Sequence, residues 1–68
     1  MEKFKIKGEF IHLNQLIKAV SWVSNGAEAN NLIESGLIKV NNQPEYRKRN
    51  KLRVGDVVEY QTSTIIVE

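Results

Sequence analysis

Five cations stand within seven consecutive positions in the second half of this chain. They are Arg47, Lys48, Arg49, Lys51 and Arg53. We refer to residues 47–53 as the basic segment. This density of positive charge suits a surface that holds phosphates, because each Lys or Arg that contacts a phosphate releases a condensed counterion. Arg adds a planar fork that can hold a phosphate by two hydrogen bonds or stack on an unpaired base. A solvated loop without a ligand is the alternative that the charge run leaves open.

The direction of these side chains depends on the backbone of the basic segment. In an extended chain, side chains two positions apart lie on the same face. Arg47 and Arg49 would then share a face, and Lys48 would point the other way. Lys51 and Arg53 would continue the first face. An extended basic segment therefore predicts a row of four cations.

The charge of the whole chain is modest but unevenly distributed. The 68 residues carry a formal net charge of +2 at pH 7. Residues 39–53 hold six of the ten Lys and Arg against one acid, Glu45, so this window is +5 and the remainder is −3. Such a locally basic molecule is expected to bind a polyanion.

Length and composition limit the class of protein. The 68 residues, 41% of them apolar, predict one small domain over 1–68 with a thin core. The absence of Cys and the single His exclude a disulfide scaffold, a thiolate zinc site and a His-rich metal site. No cofactor is expected. No apolar run is long enough for a membrane span or a secretory signal, so we expect a soluble, cytoplasmic monomer.

Catalysis is not expected from this sequence. His12 and Asp56 are far apart along the chain, and no neighbour is identified that would orient His12 as a base. None of the Ser residues lies in a nucleophile-elbow motif, and NGAEAN lacks the G-x-x-x-x-G-K pattern that cradles phosphates. Gly55-Asp56 is typical of a β-turn. The sequence predicts a binding protein with no small-molecule substrate.

The first half of the chain predicts a strand and two helices. KFKIK alternates as a half-buried strand does, and Gly8 ends it. Helical spacing follows at Leu13, Leu16, Ile17 and Val20. A second helix is predicted for GAEANNLIES, after the capping residues Ser24 and Asn25 and before Gly36, which suits a left-handed C-terminal cap.

The second half changes to the period of strands. LIKVN places Ile38 and Val40 inward and Lys39 outward, and NNQP has the composition of a turn. VGDVVEY and STIIVE are predicted as two further strands, with the turn at Gly55-Asp56 leading into the first. The order of elements predicts an α+β domain in which a helix pair packs on a small sheet.

A helix-turn-helix that reads DNA is disfavoured by charge. Its recognition helix would be GAEANNLIES, which has no Lys or Arg and carries Glu28 and Glu34. A helix that enters the major groove meets phosphates on both sides, so it normally presents basic or amide side chains. A helix of charge −2 would be repelled.

A specific pattern runs through residues 10–60. A helix and a turn precede A-x-x-L-I-x-x-G-x-I-x-V-N, which is followed by a basic loop and G-D-V-V. Its residues here are Ala29, Leu32, Ile33, Gly36, Ile38, Val40, Asn41, Gly55, Asp56, Val57 and Val58. The pattern resembles the S-four RNA-binding domain, named for ribosomal small-subunit protein four. The loop R-K-R-N-K-L looks most like the small stand-alone bacterial YbcJ/YaaA-type members.

The resemblance implies both a fold and a function. The fold is the αL motif, a two-helix pair packed on a small, mostly antiparallel sheet. The function is non-catalytic binding of structured RNA, often ribosomal or transfer RNA. The loop residues that match the family, and that we expect to contact RNA, are Arg47, Lys48, Arg49 and Lys51.

The helix pair carries less charge here than in the family that it resembles. Many relatives have Arg at the positions of His12 and Gly26, and the small branch tends to have Lys at the position of Asn30. Asn25 and Gly26 match part of a Gly-rich turn. RNA contact is therefore transferred more weakly to His12, Asn25, Gly26 and Asn30.

Four further residues have two interpretations each. Lys39 and Asn41 flank the basic segment, and Asn41 is as compatible with forming a turn as with contacting RNA. Lys18 lies on the polar side of the first helix and would extend the basic surface. Arg53 could instead pair with a nearby acid, which would stabilise the protein little at the surface.

The remaining candidates favour structural roles. Trp22 could stack on a base, but between two helices it is expected to pack in the core. Lys3, Lys5 and Lys7 are expected to protect a sheet edge from aggregation. The alternative function is a protein-interaction module that docks an acidic partner through the basic segment or pairs a strand at a sheet edge.

Overall fold

The computed structural model describes residues 1–68 as two helices and seven short strands. The helices are α1 (Leu13–Ala19) and α2 (Gly26–Glu34). The strands are β1 (Glu2–Phe4), β2 (Ile11–His12), β3 (Lys39–Val40), β4 (Gln43–Pro44), β5 (Lys51–Leu52), β6 (Val57–Tyr60) and β7 (Ser63–Val67). No helix is both long and apolar enough to cross a membrane.

The strands form two sheets of unequal size. The larger has the order β1-β7-β6-β3-β4, and the smaller consists of β2 and β5. Only the β1–β7 pair is parallel, and every other pair is antiparallel. The α+β prediction, with a helix pair on a small and mostly antiparallel sheet, is confirmed.

The apolar stripe predicted for the first helix forms one side of the core. Leu13, Leu16 and Ile17 are fully buried, and Val20 caps the helix C-terminus while packing partly on the same cluster. From α2, Ala29 and Ile33 face them. The sheets supply Leu52, Val58 and Val67 on the other side of the core, and Ile38 joins them from just before β3. Both helices and both sheets therefore share one core.

The second helix begins and ends as its sequence predicts. Asn25 is the N-cap, and its side-chain oxygen accepts a hydrogen bond from Glu28 N at 2.9 Å. Gly36 follows the helix with φ +81°, the left-handed conformation that glycine favours. A Cβ at Gly36 would lie 2.8 Å from Cε1 of Tyr46, so a larger residue here would also require the ring of Tyr46 to shift.

The turn predicted at NNQP is shorter than expected. Asn41 and Asn42 have φ of 51° and 70° and make the turn, whereas Gln43–Pro44 pairs with β3 as strand β4. Pro44 is tolerated because β4 is at the edge of the sheet, where its missing N–H breaks no interior ladder.

The first strand is also shifted from its predicted position. The pairing of β1 with β7 covers Glu2–Phe4, and two further hydrogen bonds prolong it, from Glu68 N to Phe4 O and from Ile6 N to Glu68 O, both 2.8 Å. β1 is an edge strand and Lys3 is exposed on it, which is the position that the predicted role as an edge guard requires.

Candidate nucleic-acid interface

The basic segment is not extended throughout, so the backbone condition considered for a row of cations is met only in part. Asn50 N donates to Arg47 O at 3.1 Å, which closes a turn over residues 47–50. The chain then enters β5, which pairs antiparallel with β2, with Leu52 opposite Ile11 and Lys51 opposite His12. The small sheet was not predicted, because two-residue strands are too short to show alternation.

Backbone hydrogen bonds fasten the basic segment to the start of α1. Leu13 N donates to Asn50 O at 2.9 Å, and Asn14 N donates to Lys48 O at 3.0 Å. These are first-turn N–H groups that have no acceptor within the helix. Leu52, between two cations, is fully buried in the core. The cations are therefore attached to a fixed backbone at both ends of the segment.

The turn and strand β5 together bring four cations around one surface depression. It is lined by Arg47, Arg49, Asn50, Lys51 and Arg53, and no acidic residue lines it. The four cations are the ones predicted to share a face, although a turn rather than an extended chain aligns the first two. Lys48 points elsewhere, with its Nζ 3.6 Å from Glu34 Oε2 on α2.

One of the four cations is held by a neighbouring acid. Arg47 Nε donates to Glu45 Oε2 at 2.9 Å, and Arg47 Nη2 donates to Glu45 Oε1 and Asn50 Oδ1 at 3.1 and 3.2 Å. The hydrogen bonds from Arg47 lower the pKa of Glu45 below its ordinary value of 4.5, although partial burial opposes them. The same pair raises the pKa of Arg47. Arg47 is therefore oriented but partly neutralised.

The other three cations of the depression make no ion pair with an acidic residue. The chain contains two ion pairs, Arg47–Glu45 and Lys48–Glu34. The ion pair considered for Arg53 is absent: Asp56 Oδ2 instead accepts from the backbone N of Arg53 at 2.8 Å. Asp56 thus serves the turn that was predicted at Gly55-Asp56.

Replacing Glu45 by Gln is expected to remove a pH-dependent part of the stability. Because the pKa of Glu45 is lower in the folded state, the charged carboxylate stabilises the fold above its ordinary pKa of 4.5. This contribution is lost as the pH falls through the lowered pKa. The free energy of unfolding, measured in urea, should therefore favour wild type at pH 7 and converge with that of Glu45→Gln as the pH falls below the lowered pKa of Glu45. A difference independent of pH would contradict this assignment.

An aromatic side chain borders the depression. Lys51 Nζ lies 4.9 Å from the ring centroid of Phe10, a cation–π distance, and the ring of His12 lies 5.4 Å from that of Phe10. Phe10 is 37% exposed. The sequence prediction missed this residue, whose signal was its position two residues before His12 on the same face of an extended chain.

None of the candidates on the helix pair is a Lys or Arg, and several are engaged in hydrogen bonds within the protein. Asn14 Nδ2 donates to Asn30 Oδ1 at 3.3 Å, which links the two helices. Asn25 is occupied as the N-cap of α2, and Gly26 is its first residue. His12 is the half-buried N-cap of α1, and its backbone N donates to Gln15 Oε1 at 3.2 Å.

The candidates Lys39, Asn41 and Lys18 lie in different parts of the protein. Asn41 uses its whole amide within the protein: Nδ2 donates to Asp56 Oδ1 at 3.1 Å, and Oδ1 accepts from Val57 N at 3.0 Å. Lys39 is exposed on β3 directly opposite Glu59. Lys18 is exposed on α1, where it lines a second depression and not the basic one. Asn41 has the structural role that its sequence allowed.

Trp22 packs as expected from its position between the helices. It is half buried against the core, and its ring centroid lies 5.7 Å from that of Tyr60 on β6. This contact ties the helix-helix connection to the large sheet.

Comparison with known proteins places this geometry in a family. The family model of the S4 domain matches residues 4–68. The solution structure of YbcJ from E. coli, described as revealing an αL motif involved in RNA binding, superposes with a TM-score of 0.73 at 32% identity. The match covers 98% of this chain and 86% of that chain. No curated protein sequence matches significantly. The chain belongs to the S4 domain family and has the αL-motif fold.

Proposed function

We propose that this protein binds structured RNA, and that the basic segment is its main phosphate-binding surface. The observation that carries the proposal is the depression lined by Arg47, Arg49, Lys51 and Arg53 without an acid among its lining residues. The description of YbcJ as carrying an αL motif involved in RNA binding supports the same function. Ribosomal and transfer RNA are the classes that the family resemblance favours.

The mechanism is binding rather than turnover. Three cations without ion pairs, Arg49, Lys51 and Arg53, meet phosphates and release counterions. Their backbone is fixed to α1 and to the core before RNA arrives, so little conformational entropy of the segment is lost on binding. The uncharged face formed by Asn14 and Asn30 offers polar groups to riboses and bases.

Specificity is expected to come from RNA shape. Double-stranded RNA hides its base edges in a deep, narrow major groove, so proteins recognise it by its backbone geometry and 2′-hydroxyls. A compact cluster of cations fits that recognition because Lys and Arg contact phosphates whatever the base sequence. Duplex DNA has a different phosphate geometry and no 2′-hydroxyl, so it should bind more weakly.

The proposal is tested by titrating the protein with ribosomal RNA fragments, transfer RNA and a DNA hairpin across a salt series. We expect tighter binding of the RNAs and a log–log salt slope of about −2 to −3, from three contacts at roughly 0.7–0.9 each. Equal and weak binding of all three would refute the proposal. Stoichiometric co-purification with an acidic protein would then favour the protein-docking alternative.

A further inference from the structure

A second basic depression lies beside the first and is not explained by the binding of a folded RNA stem. It is formed between residues 4–11 and α1. Three lysines line it, Lys5, Lys7 and Lys18, and no acidic residue does. None of the three makes an ion pair, and all are exposed. We call this the N-terminal depression.

The N-terminal depression differs from the basic depression in its lining. Four of its residues are apolar side chains on the N-terminal segment, Phe4, Ile6, Phe10 and Ile11, all of them only partly buried. The basic depression has no hydrophobic residue in its lining. Lysines around a partly apolar floor suit a ligand that presents both charge and flat apolar faces.

Phe10 joins the two depressions. Its ring lines the N-terminal depression and lies 4.9 Å from Nζ of Lys51, which lines the basic one. A polyanion held by the basic segment would therefore reach the three lysines by crossing one aromatic ring. Edge protection explains exposed lysines such as Lys3, but it does not explain why Lys5 and Lys7 share a depression with Lys18 of α1.

We propose that the N-terminal depression binds an unpaired segment of RNA that continues from the stem held by the basic segment. Unpaired nucleotides have the chemistry that the surface requires, because their bases pack on apolar and aromatic side chains while their phosphates meet cations. A stem cannot use the apolar floor, since its bases are stacked on one another. The inference rests on the proposed function and specifies its target as a junction between paired and unpaired RNA.

The test compares a blunt RNA hairpin with the same hairpin carrying a six-nucleotide tail at its 5′ or 3′ end. Wild type should bind one tailed hairpin about 10- to 100-fold more tightly than the blunt one at 0.1 M salt. Its log–log salt slope should be steeper by roughly 2, from three contacts at about 0.7 each. The triple variant Lys5→Gln/Lys7→Gln/Lys18→Gln should lose this gain and bind the blunt hairpin as wild type does.

Two further variants test the position of the lysine charges and the stacking on Phe10, and both are checked for folding. Lys3→Gln removes an exposed lysine of the same segment that does not line the depression, so it should keep the tail's gain. Phe10→Leu keeps apolar packing but removes the ring, and should reduce the gain about fivefold or more, which corresponds to the lower end of about 1–3 kcal/mol per stacked base. Unfolding in urea confirms that both variants are folded.

The outcomes distinguish this inference from the proposed function. If wild type does not bind the blunt hairpin, the proposed function fails and the inference falls with it. If wild type binds the blunt hairpin but gains nothing from either tail, the inference alone is refuted. It is also refuted if the triple variant weakens blunt and tailed hairpins equally, or if a poly-glutamate peptide abolishes the tail's gain as effectively as an unlabelled oligoribonucleotide at equal charge.

Discussion

Replacing Arg49, Lys51 and Arg53 together by Gln is expected to weaken binding of a structured RNA about 100- to 500-fold at 0.1 M salt. These are the cations of the basic depression that no acid neutralises. Three lost phosphate contacts at about 0.7–0.9 each should flatten the log–log salt slope by roughly 2–3. A phosphate contact contributes little to affinity at 1 M salt. The loss of affinity at 0.1 M salt therefore follows from the change in slope over this tenfold range of salt concentration. Anisotropy of a labelled hairpin across a salt series measures both quantities.

A charge-matched control tests whether placement or net charge matters. The variant Lys3→Gln/Lys39→Gln/Lys48→Gln removes the same charge from residues that line neither depression. It should lose about tenfold or less, because Lys3 and Lys39 line neither depression and Lys48 is already paired with Glu34. Equal losses in the two triple variants would mean that only net charge attracts RNA. If the folded variant with Gln at positions 49, 51 and 53 bound RNA as tightly as wild type does, the basic depression would not be part of the interface.

Arg47 is expected to contribute less than each of the other three cations. Its guanidinium already donates from Nε and Nη2 to Glu45 and Asn50, so its charge is partly neutralised and only Nη1 has no partner within the protein. The sequence could not show this pairing, because Glu45 lies two residues away and the outcome depends on the turn that follows. Residue type identified the basic surface, but the state of each cation depended on the local backbone.

The fold was predictable where the apolar pattern extends over several helical turns and where a capping residue marks the end of a helix. The apolar stripe of α1, the Asn25 cap and the left-handed Gly36 each follow from local physical chemistry, and the structure has all three. The β2–β5 pair was not predictable, since its two-residue strands are specified by tertiary contacts alone. That pair is what places Lys51 beside Phe10. The missed element therefore also concealed the aromatic border of the site.

The charge-depleted second helix has a physical explanation in this structure. Glu34 of α2 lies 3.6 Å from Lys48, so one of the two acids of that helix is paired with the basic segment. Glu28 is engaged at the helix N-terminus, where its Oε1 accepts from Ser24 N at 2.7 Å. Both acids thus serve local structure, and neither lines the basic depression. The repulsion that disfavours α2 as a DNA-reading helix does not extend to the cations of the basic segment.

Replacing Leu52 by Ala is expected to destabilise the fold and the site together. Leu52 is fully buried and belongs to the core, while its neighbours Lys51 and Arg53 line the basic depression. Removing a buried Leu side chain costs about 2–5 kcal/mol, through lost burial and the cavity that remains. A domain of this length has roughly 3–10 kcal/mol in total, at about 0.05–0.15 kcal/mol per residue. The midpoint of thermal unfolding should therefore fall by roughly 8–40 °C, at about 4–8 °C per kcal/mol.

Urea unfolding followed by Trp22 fluorescence and circular dichroism measures this loss. Leu37→Ala is the matched control, because the same atoms are removed from a side chain that is 58% exposed, and its cost should be about 0.5 kcal/mol or less. Saturating RNA should raise the unfolding midpoint of Leu52→Ala by mass action, since only the folded state presents the assembled depression. Equal free energies of unfolding for the two variants would show that β5 is not fastened through the core. In that case the positions of Lys51 and Arg53 would depend on the backbone hydrogen bonds to α1 alone.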